Sequence, residues 1–140
     1  MQKTIFAAVV LTGALHGCTT IGVDQMTVSK GLVTSARGGY AFDETPMQQI
    51  KQRDSLVVIT HLQWQPVGAE AGYHKVVWTW YADGKAVAVR NRDVKFEKSP
   101  YRLTWRIPAA DFAPGHYRVD VSIDNKVVDT REYDVVANAS

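Results

Sequence analysis

The chain has 140 residues, with 16 Lys and Arg residues against 14 Asp and Glu residues, and its formal net charge is +2 at pH 7. This balance gives no electrostatic reason to expect a nucleic-acid partner, which would need a strongly basic face. The length fits one domain of ordinary size. The single cysteine, Cys18, leaves no possibility of a disulfide within the chain.

The first 17 residues have the layout of a secretory signal peptide. Lys3 supplies a positive start, residues 5–11 form an apolar run, and Gly17 is a small residue just before the expected cut. The apolar run is too short for a stable membrane-spanning helix, which needs roughly 20 apolar residues. We therefore predict that residues 1–17 are an export signal that is removed and that takes no part in the fold.

The end of this segment, Leu15-His16-Gly17-Cys18, resembles the lipobox of bacterial lipoproteins. The resemblance implies that acyl chains such as palmitate are attached to Cys18, and that the chain is cut just before it. Several acyl chains anchor a protein stably, whereas a single chain binds only weakly. Thr19 follows, where an Asp would suggest retention at the inner membrane. The resemblance thus implies lipid anchoring in the outer membrane, with the protein facing the periplasm.

Residues 18–25 are predicted to form a short lipidated tether, and residues 26–140 a single β-rich domain. Apolar and polar residues alternate there with the period of two that is typical of half-buried strands. Turn signals such as Asp83-Gly84 recur at intervals of about 8–12 residues. The pattern predicts an all-β fold, an antiparallel sandwich of about seven strands, with a closed lipocalin-like barrel as the alternative. The clearest strand segments are 26–34, 55–64, 73–81, 86–90, 101–107, 117–123 and 126–136.

Only one stretch, near residues 46–53, has the pattern of a helix. Thr45 is a capping residue type, Pro46 suits the first helical position, and Gln48 follows the cap by three residues. The pattern predicts one short helix of one or two turns that ends near Asp54.

Two motifs resemble immunoglobulin-like domains. Val76-Val77-Trp78-Thr79-Trp80 is similar to the central strand that places a Trp in the sandwich core. The segment from Asp111 to Tyr117 is similar to the tyrosine corner, where a Tyr hydroxyl bonds back across a loop. In overall plan the chain resembles the small immunoglobulin-like outer-membrane lipoproteins of Gram-negative bacteria, several of which have no assigned function. The resemblance therefore implies an immunoglobulin-like β-sandwich and a place in the cell envelope, but no activity.

The residues that could carry catalysis or bind a metal do not form a recognisable pattern. His61, His74 and His116 lack the spacing of a zinc site, which usually needs four converging ligands. The sequence has no Gly-x-Ser-x-Gly elbow, and aspartates such as Asp83 and Asp124 fall at turn positions, where they bond their own backbone. We expect no catalytic residues, no metal and no cofactor, and hence a protein that is not an enzyme.

Basic residues concentrate between residues 85 and 106, and five of them are candidates for contacting a partner: Arg90, Arg92, Lys95, Arg102 and Arg106. Such side chains can also simply solvate a sheet and protect its edges. The leading hypothesis is a non-enzymatic binding or structural module for another envelope component, either a protein or a glycan. One alternative is an inhibitor or accessory factor of a cell-wall-cleaving enzyme that uses the loop from Pro66 to Gly72. The other is a glycan-acting envelope enzyme.

Overall fold

A computed structural model describes residues 20–34 and 40–138 of the chain, so Cys18 and the predicted signal peptide lie outside the described residues. Strands occupy most of these residues, and a single 3-10 turn at Ala109–Asp111 is the helical element among them. No helix in the described ranges is long and apolar enough to cross a membrane. The ten strands are β1 (Gly22–Ser29), β2 (Gly31–Thr34), β3 (Tyr40–Asp43), β4 (Gln49–Lys51), β5 (Ser55–Gln63), β6 (Gly72–Ala82), β7 (Lys85–Phe96), β8 (Tyr101–Pro108), β9 (Gly115–Ile123) and β10 (Lys126–Val136).

Two sheets pack face to face. One has three strands in the order β1-β5-β8, and the other has five strands in the order β4-β10-β9-β6-β7. Neighbouring strands are antiparallel, except that β4 runs parallel to β10. This arrangement confirms the predicted antiparallel immunoglobulin-like sandwich, with β1, β5 and β8 at the positions of strands A, B and E, and β6, β9 and β10 at those of C, F and G. The described residues form ten strands rather than about seven, because the predicted first strand, 26–34, is divided into β1 and β2, and β3 and β4 add to the predicted set.

The core lies between the two sheets and is filled by the inward-facing residues of each strand. Trp78 and Trp80 share one face of β6 and are fully buried, as their alternation predicts. Leu56 and Val58 of β5 meet them from the other sheet within the same apolar cluster. Each such side chain contributes roughly 1.5–3 kcal/mol by leaving water, and this burial holds the two sheets together.

Strand β5 is buried on both faces, which explains its uninterrupted apolar run from Leu56 to Ile59. Val57 and Ile59 are fully buried on the face that points away from the main core. Strand β2 forms a hairpin with β3 and also contacts β5. The Ser29 hydroxyl donates to the Asp43 carbonyl and joins the base of the hairpin to β1.

The predicted tyrosine corner is present at the start of β9. The Tyr117 hydroxyl donates to the carbonyl of Ala113 at 2.6 Å, across the loop that enters the strand. The Tyr117 ring also packs edge-on against Phe112, with 5.0 Å between ring centroids. The corner fixes the crossing from the three-stranded to the five-stranded sheet.

The predicted helix near residues 46–53 is wrong. Residues 49–51 form the short strand β4, which pairs with the end of β10. The Asp134 N–H donates to the Gln48 carbonyl at 2.8 Å, and the Gln52 N–H donates to the Val136 carbonyl at 3.0 Å. These bonds to β10 take the backbone groups that a helix would have used, and Ile50 becomes fully buried. Burial of this one side chain and the pairing with β10 outweigh the local capping pattern.

The sandwich also begins earlier than residue 26. Strand β1 starts at Gly22, inside the range predicted for the tether, and Gly22 pairs with Gln63 of β5. Ile21, just before the strand, packs against the main core. Only three residues therefore separate Cys18 from the first strand.

Candidate binding surface

The structure distributes the five candidate basic residues over three surfaces. Arg90 and Arg92 lie opposite Trp78 and Val76 in the β6–β7 pairing, so their side chains are on the inner face of β7, at the opening between the sheets. The three others point elsewhere. Lys95 is paired with Tyr73 on the outer face of the five-stranded sheet, and Arg102 and Arg106 alternate with buried residues of β8 and so lie on the outer face of the three-stranded sheet.

The opening between the sheets exists because β7 and β8 are both terminal strands among the described residues. Immunoglobulin-like domains of the constant type place a strand D beside strand E, and variable domains add strand C″ beyond C′. Here only the four residues 97–100 connect β7 to β8, so neither extra strand is formed. Both sheets therefore end on the same side of the sandwich.

The direction of the backbone groups on β7 follows from bonds on β6. The Asp124 N–H donates to the Lys75 carbonyl at 2.9 Å, and the Lys75 N–H donates to Asp124 Oδ1 at 3.0 Å, so the backbone of Lys75 points toward β9. Because this direction alternates along a strand, the backbone of Trp78 points toward β7, where Trp78 is opposite Arg90. The backbone of Arg90 is therefore hydrogen-bonded to β6, whereas the backbone N–H and C=O of Val89 point toward the free edge of β7.

Arg90 covers one of these outward-pointing groups itself. Its Nη1 donates to the carbonyl oxygen of Val89 at 2.9 Å. The side chain of Val89, on the outer face, is 48% exposed. An arginine that bonds the carbonyl of its own edge blocks part of the hydrogen-bonding row that an incoming strand would use.

Arg92 reaches across the opening to the edge of the other sheet. Its Nη2 lies 3.4 Å from the Thr104 carbonyl oxygen, and its guanidinium carbon lies 5.8 Å and 5.4 Å from the ring centroids of Trp78 and Trp105. The Ala109 N–H donates to the Asp54 carbonyl, so the backbone of Ala109 points toward the β5 side. The backbone direction alternates along β8, and Thr104 is an odd number of residues away, so its backbone groups point away from β5. Arg92 thus bridges β7 to the free edge of β8 and covers two indole faces.

The other three basic residues bond to neighbours within the domain. Lys95 forms a 3.2 Å ion pair with Glu70, whose hydrogen bond raises the pKa of the lysine. Arg102 lies 3.8 Å from Glu44, and the Arg106 guanidinium donates to the Ser55 hydroxyl at 2.9 and 3.0 Å. These contacts are largely exposed, so each contributes little to stability.

One shallow groove adjoins the opening. Its volume is about 520 Å³, and it lies between the start of β7 and the connection from β8 to β9. It is lined by Val87, Ala88, Arg90, Ile107, Asp111, Phe112, Ala113 and Tyr117. A second groove of about 490 Å³ lies at the other edge of the five-stranded sheet, beside β4.

Each of the three described histidines contacts carboxylates and lies away from the other two along the fold. His61 and His74 are on β5 and β6, in different sheets. Within the described ranges, no three His, Cys, Asp or Glu side chains converge as a metal site would require. The contacts are His61 Nε2 to Glu44 at 2.5 Å, His74 Nδ1 to Asp124 at 2.6 Å, His116 Nδ1 to Asp134 at 2.7 Å and His116 Nε2 to Glu132 at 3.0 Å.

The sequence did not predict that the open edges of β7 and β8 lie on the same side of the sandwich. Nearness in sequence does not bring the five basic residues together, because Arg92 and Lys95 lie on opposite faces of the same strand. The useful signal was the short connection at residues 97–100, which is too short to contain a strand between β7 and β8.

No protein-family model matches the chain, and no curated protein matches it. Among solved structures it is similar to the alkylpurine DNA glycosylase AlkC of Pseudomonas fluorescens, at 10% identity and a TM-score of 0.50, over 82% of this chain and 30% of that one. It is similar to a b-glucosidase of Erythrobacter marinus at 12% identity and a TM-score of 0.52, over 84% of this chain and 16% of that one. An immunoglobulin-like protein of Pseudomonas aeruginosa matches at 12% identity and a TM-score of 0.46, over 84% of this chain and 97% of that one.

These identities show a shared fold alone. The chain spans less than a third of the glycosylase and about a sixth of the glucosidase. Their activities belong to much longer proteins, and a fold shared at this level does not carry a function with it. The domain is an immunoglobulin-like β-sandwich.

Proposed function

We propose that the protein is a lipoprotein of the bacterial cell envelope whose immunoglobulin-like domain binds another envelope component without catalysing a reaction. One observation carries the binding role: both sheets end on the same side of the sandwich, and the edge strands β7 and β8 direct backbone groups outward there. Exposed backbone groups at a sheet edge are a ready template for another chain. The partner is an envelope protein or glycan.

The leader sequence and Cys18 support anchoring in the outer membrane, with the domain on the periplasmic side. Strand β1 begins at Gly22, so the four steps of backbone from Cys18 to Gly22 can span at most about 14 Å. A domain on so short a tether stays beside the membrane surface. Its partner would therefore be met close to the lipid headgroups.

Photo-crosslinking in cells tests the binding role. A photoreactive amino acid replaces Asn91 at the open edge, and in a matched variant it replaces Gln49, which is exposed on β4 at the opposite edge of the same sheet. We expect the protein labelled at position 91 to form a discrete crosslinked species with an envelope component, and the protein labelled at position 49 to form none. Absence of any crosslinked species from position 91 and from a further set of exposed positions would contradict the binding role.

A second candidate, an inhibitor of a cell-wall-cleaving enzyme, has one observation in its favour. The loop after β5 is braced, since the Gly68 N–H donates to the Ser99 carbonyl at 2.9 Å and Trp64 Nε1 donates to the Ala69 carbonyl at 2.8 Å. The braced loop presents Val67 with 71% of its surface exposed. A rigid loop with an apolar tip suits insertion into a cleft.

A wall-lysis assay distinguishes the two candidate functions. If the loop inhibits a lysozyme-like enzyme, the purified protein slows lysis and Val67→Asp abolishes the effect. A matched Val127→Asp variant, which changes another exposed valine on β10, should still inhibit. Unchanged lysis in the presence of the wild-type protein would exclude this candidate for the enzyme tested.

A further inference from the structure

We infer that the free edge of β7 accepts an extended segment of the partner, which adds as a new strand of the five-stranded sheet and alternates acidic with apolar residues. This inference rests on the proposed binding function and names the chemistry of the partner. Strand addition uses main-chain hydrogen bonds for affinity and alternate side chains for specificity. The edge is long, since β7 runs from Lys85 to Phe96 and is the terminal strand in the described part of its sheet.

The backbone of β7 offers the required bonds. Its pairing with β6 is regular from Ala88 to Phe96, so Val89, Asn91 and Asp93 direct their backbone groups outward. A bulge at Val87, where Trp80 is opposite Ala88 and Tyr81 is opposite Ala86, ends the regular edge. The usable acceptor is therefore the segment from residue 88 to residue 96, which matches an ordinary strand in length.

The charges of β7 select an acidic partner. Within residues 88–96, Arg90 and Arg92 lie on the inner face, whereas Asp93 and Lys95 lie on the outer face, where Lys95 is already paired with Glu70. An added strand would place alternate side chains on the inner face, beside Arg90 and Arg92 at the opening between the sheets. A carboxylate at such a position would replace the Val89 carbonyl as the acceptor for the Arg90 guanidinium, as a charge-assisted bond.

The outer face of the same edge sets the other half of the pattern. Val89 is the apolar residue among the outward-facing side chains of the usable segment and is 48% exposed, so an apolar side chain of the added strand would cover it. Acidic residues inward and apolar residues outward give the alternation that we propose. A second copy of this chain is a poorer occupant, because two copies of so basic a strand repel each other along the edge.

A peptide-binding experiment on the whole lipidated protein in detergent micelles tests this inference. The probe is a fluorescent peptide of about ten residues that alternates Glu and Val, and the control peptide alternates Lys and Val. We expect the Glu–Val peptide to bind in low salt, the Lys–Val peptide to bind about tenfold more weakly, and added salt to reduce the difference. Arg90→Glu should reverse the preference between the two peptides.

Two substitutions at Asn91 separate strand addition from a merely basic surface. Asn91→Pro removes one outward-pointing N–H that is not used in pairing with β6, which an edge strand tolerates. Asn91→Ala keeps that donor. We expect about tenfold weaker binding of the Glu–Val peptide for the proline variant and little change for the alanine variant, with unchanged thermal unfolding for both.

Three results would overturn the inference. The first is equal binding by the proline and alanine variants, which would mean that the backbone edge is not used. The second is no binding of either peptide by the wild type. The third is a dimer that forms through β7 when Arg90 is replaced, which would make the arginines edge protection only. If crosslinking from position 91 still captures an envelope component in any of these cases, the binding function stands and only strand addition fails.

Discussion

Tyr117 shows how a single hydroxyl fixes a chain crossing. Its phenol is largely buried, its hydroxyl donates to the Ala113 carbonyl at 2.6 Å, and burial raises the pKa of the phenol. The hydroxyl thus works as a neutral donor at any physiological pH. The sequence predicted this bond, because the corner is a local motif in which donor and acceptor are four residues apart.

Replacing Tyr117 with Phe should lower the free energy of unfolding by about 1 kcal/mol, since one hydrogen bond is lost and the ring remains. The matched change is Tyr73→Phe, at a side chain that is 74% exposed, and its effect should stay within about 0.5 kcal/mol. Urea unfolding of both variants gives the comparison. Equal losses for the two variants would show that the bond to Ala113 contributes nothing.

His116 is an exposed histidine between two carboxylates. The hydrogen bond to Glu132 is the larger cause, and that to Asp134 the second, of a pKa raised above the ordinary value of 6.5. A raised pKa in the folded state means that the protonated form stabilises the fold. This contribution is complete below the unfolded pKa and disappears as the pH rises through the folded value.

An NMR titration of the His116 ring should therefore have its midpoint above 6.5, and Glu132→Gln should move that midpoint downward. The advantage in stability of the wild type over His116→Gln should shrink as the pH rises from about 6 to about 8. A midpoint at or below the ordinary value, or one that Glu132→Gln leaves in place, would contradict this role of the carboxylates.

At the scale of elements, β4 shows where local sequence signals fail. The strand has three residues, with one buried Ile50 between Gln49 and Lys51, so it has too few positions to show an alternation. The residues of β10 that pair with it, in parallel, lie 85 residues further along the chain. The capping pattern at Thr45 involves only a few neighbouring residues and can be recognised in the sequence. The pairing with β10 is long-range and can be recognised only in the folded chain.

Ile50→Ala should cost about 2–5 kcal/mol in the free energy of unfolding, as expected for a fully buried isoleucine. The neighbouring Gln49→Ala, at an exposed position of the same strand, should have a small effect. Chemical denaturation measures both. A small loss for Ile50→Ala, similar to that of its neighbour, would mean that β4 does not belong to the packed sheet.

The long strands could be predicted because their period of two is repeated over eight or more residues, as in Tyr101 to Pro108. The same period places Arg92 and Lys95 on opposite faces of β7, but it does not show which edge of which sheet these faces adjoin. The candidate surface follows from which sheet each strand joins. That assignment depends on long-range pairing, which a linear charge pattern does not contain.

At the scale of the whole molecule, the two sheets form one unit that reaches almost to the predicted anchor. Arg131 of β10 donates through Nε to the Met26 carbonyl of β1 at 3.0 Å, which joins the first strand of one sheet to the last strand of the other. Ile21 packs against the shared core. These contacts among the described residues hold the N-terminal strand β1 against both sheets.

Anchor and fold should accordingly be separable by one substitution. Cys18→Ser removes the only thiol that could carry a lipid, so the protein should move from the membrane fraction to the soluble fraction. Its thermal unfolding midpoint should match that of the wild type in the same detergent, because Arg131 and Ile21 already hold β1 within the sandwich. Thr20→Ser, two residues away, is the matched control and should remain in the membrane fraction. A Cys18→Ser protein that still sediments with membranes would show that something other than a lipid at this cysteine holds the domain there.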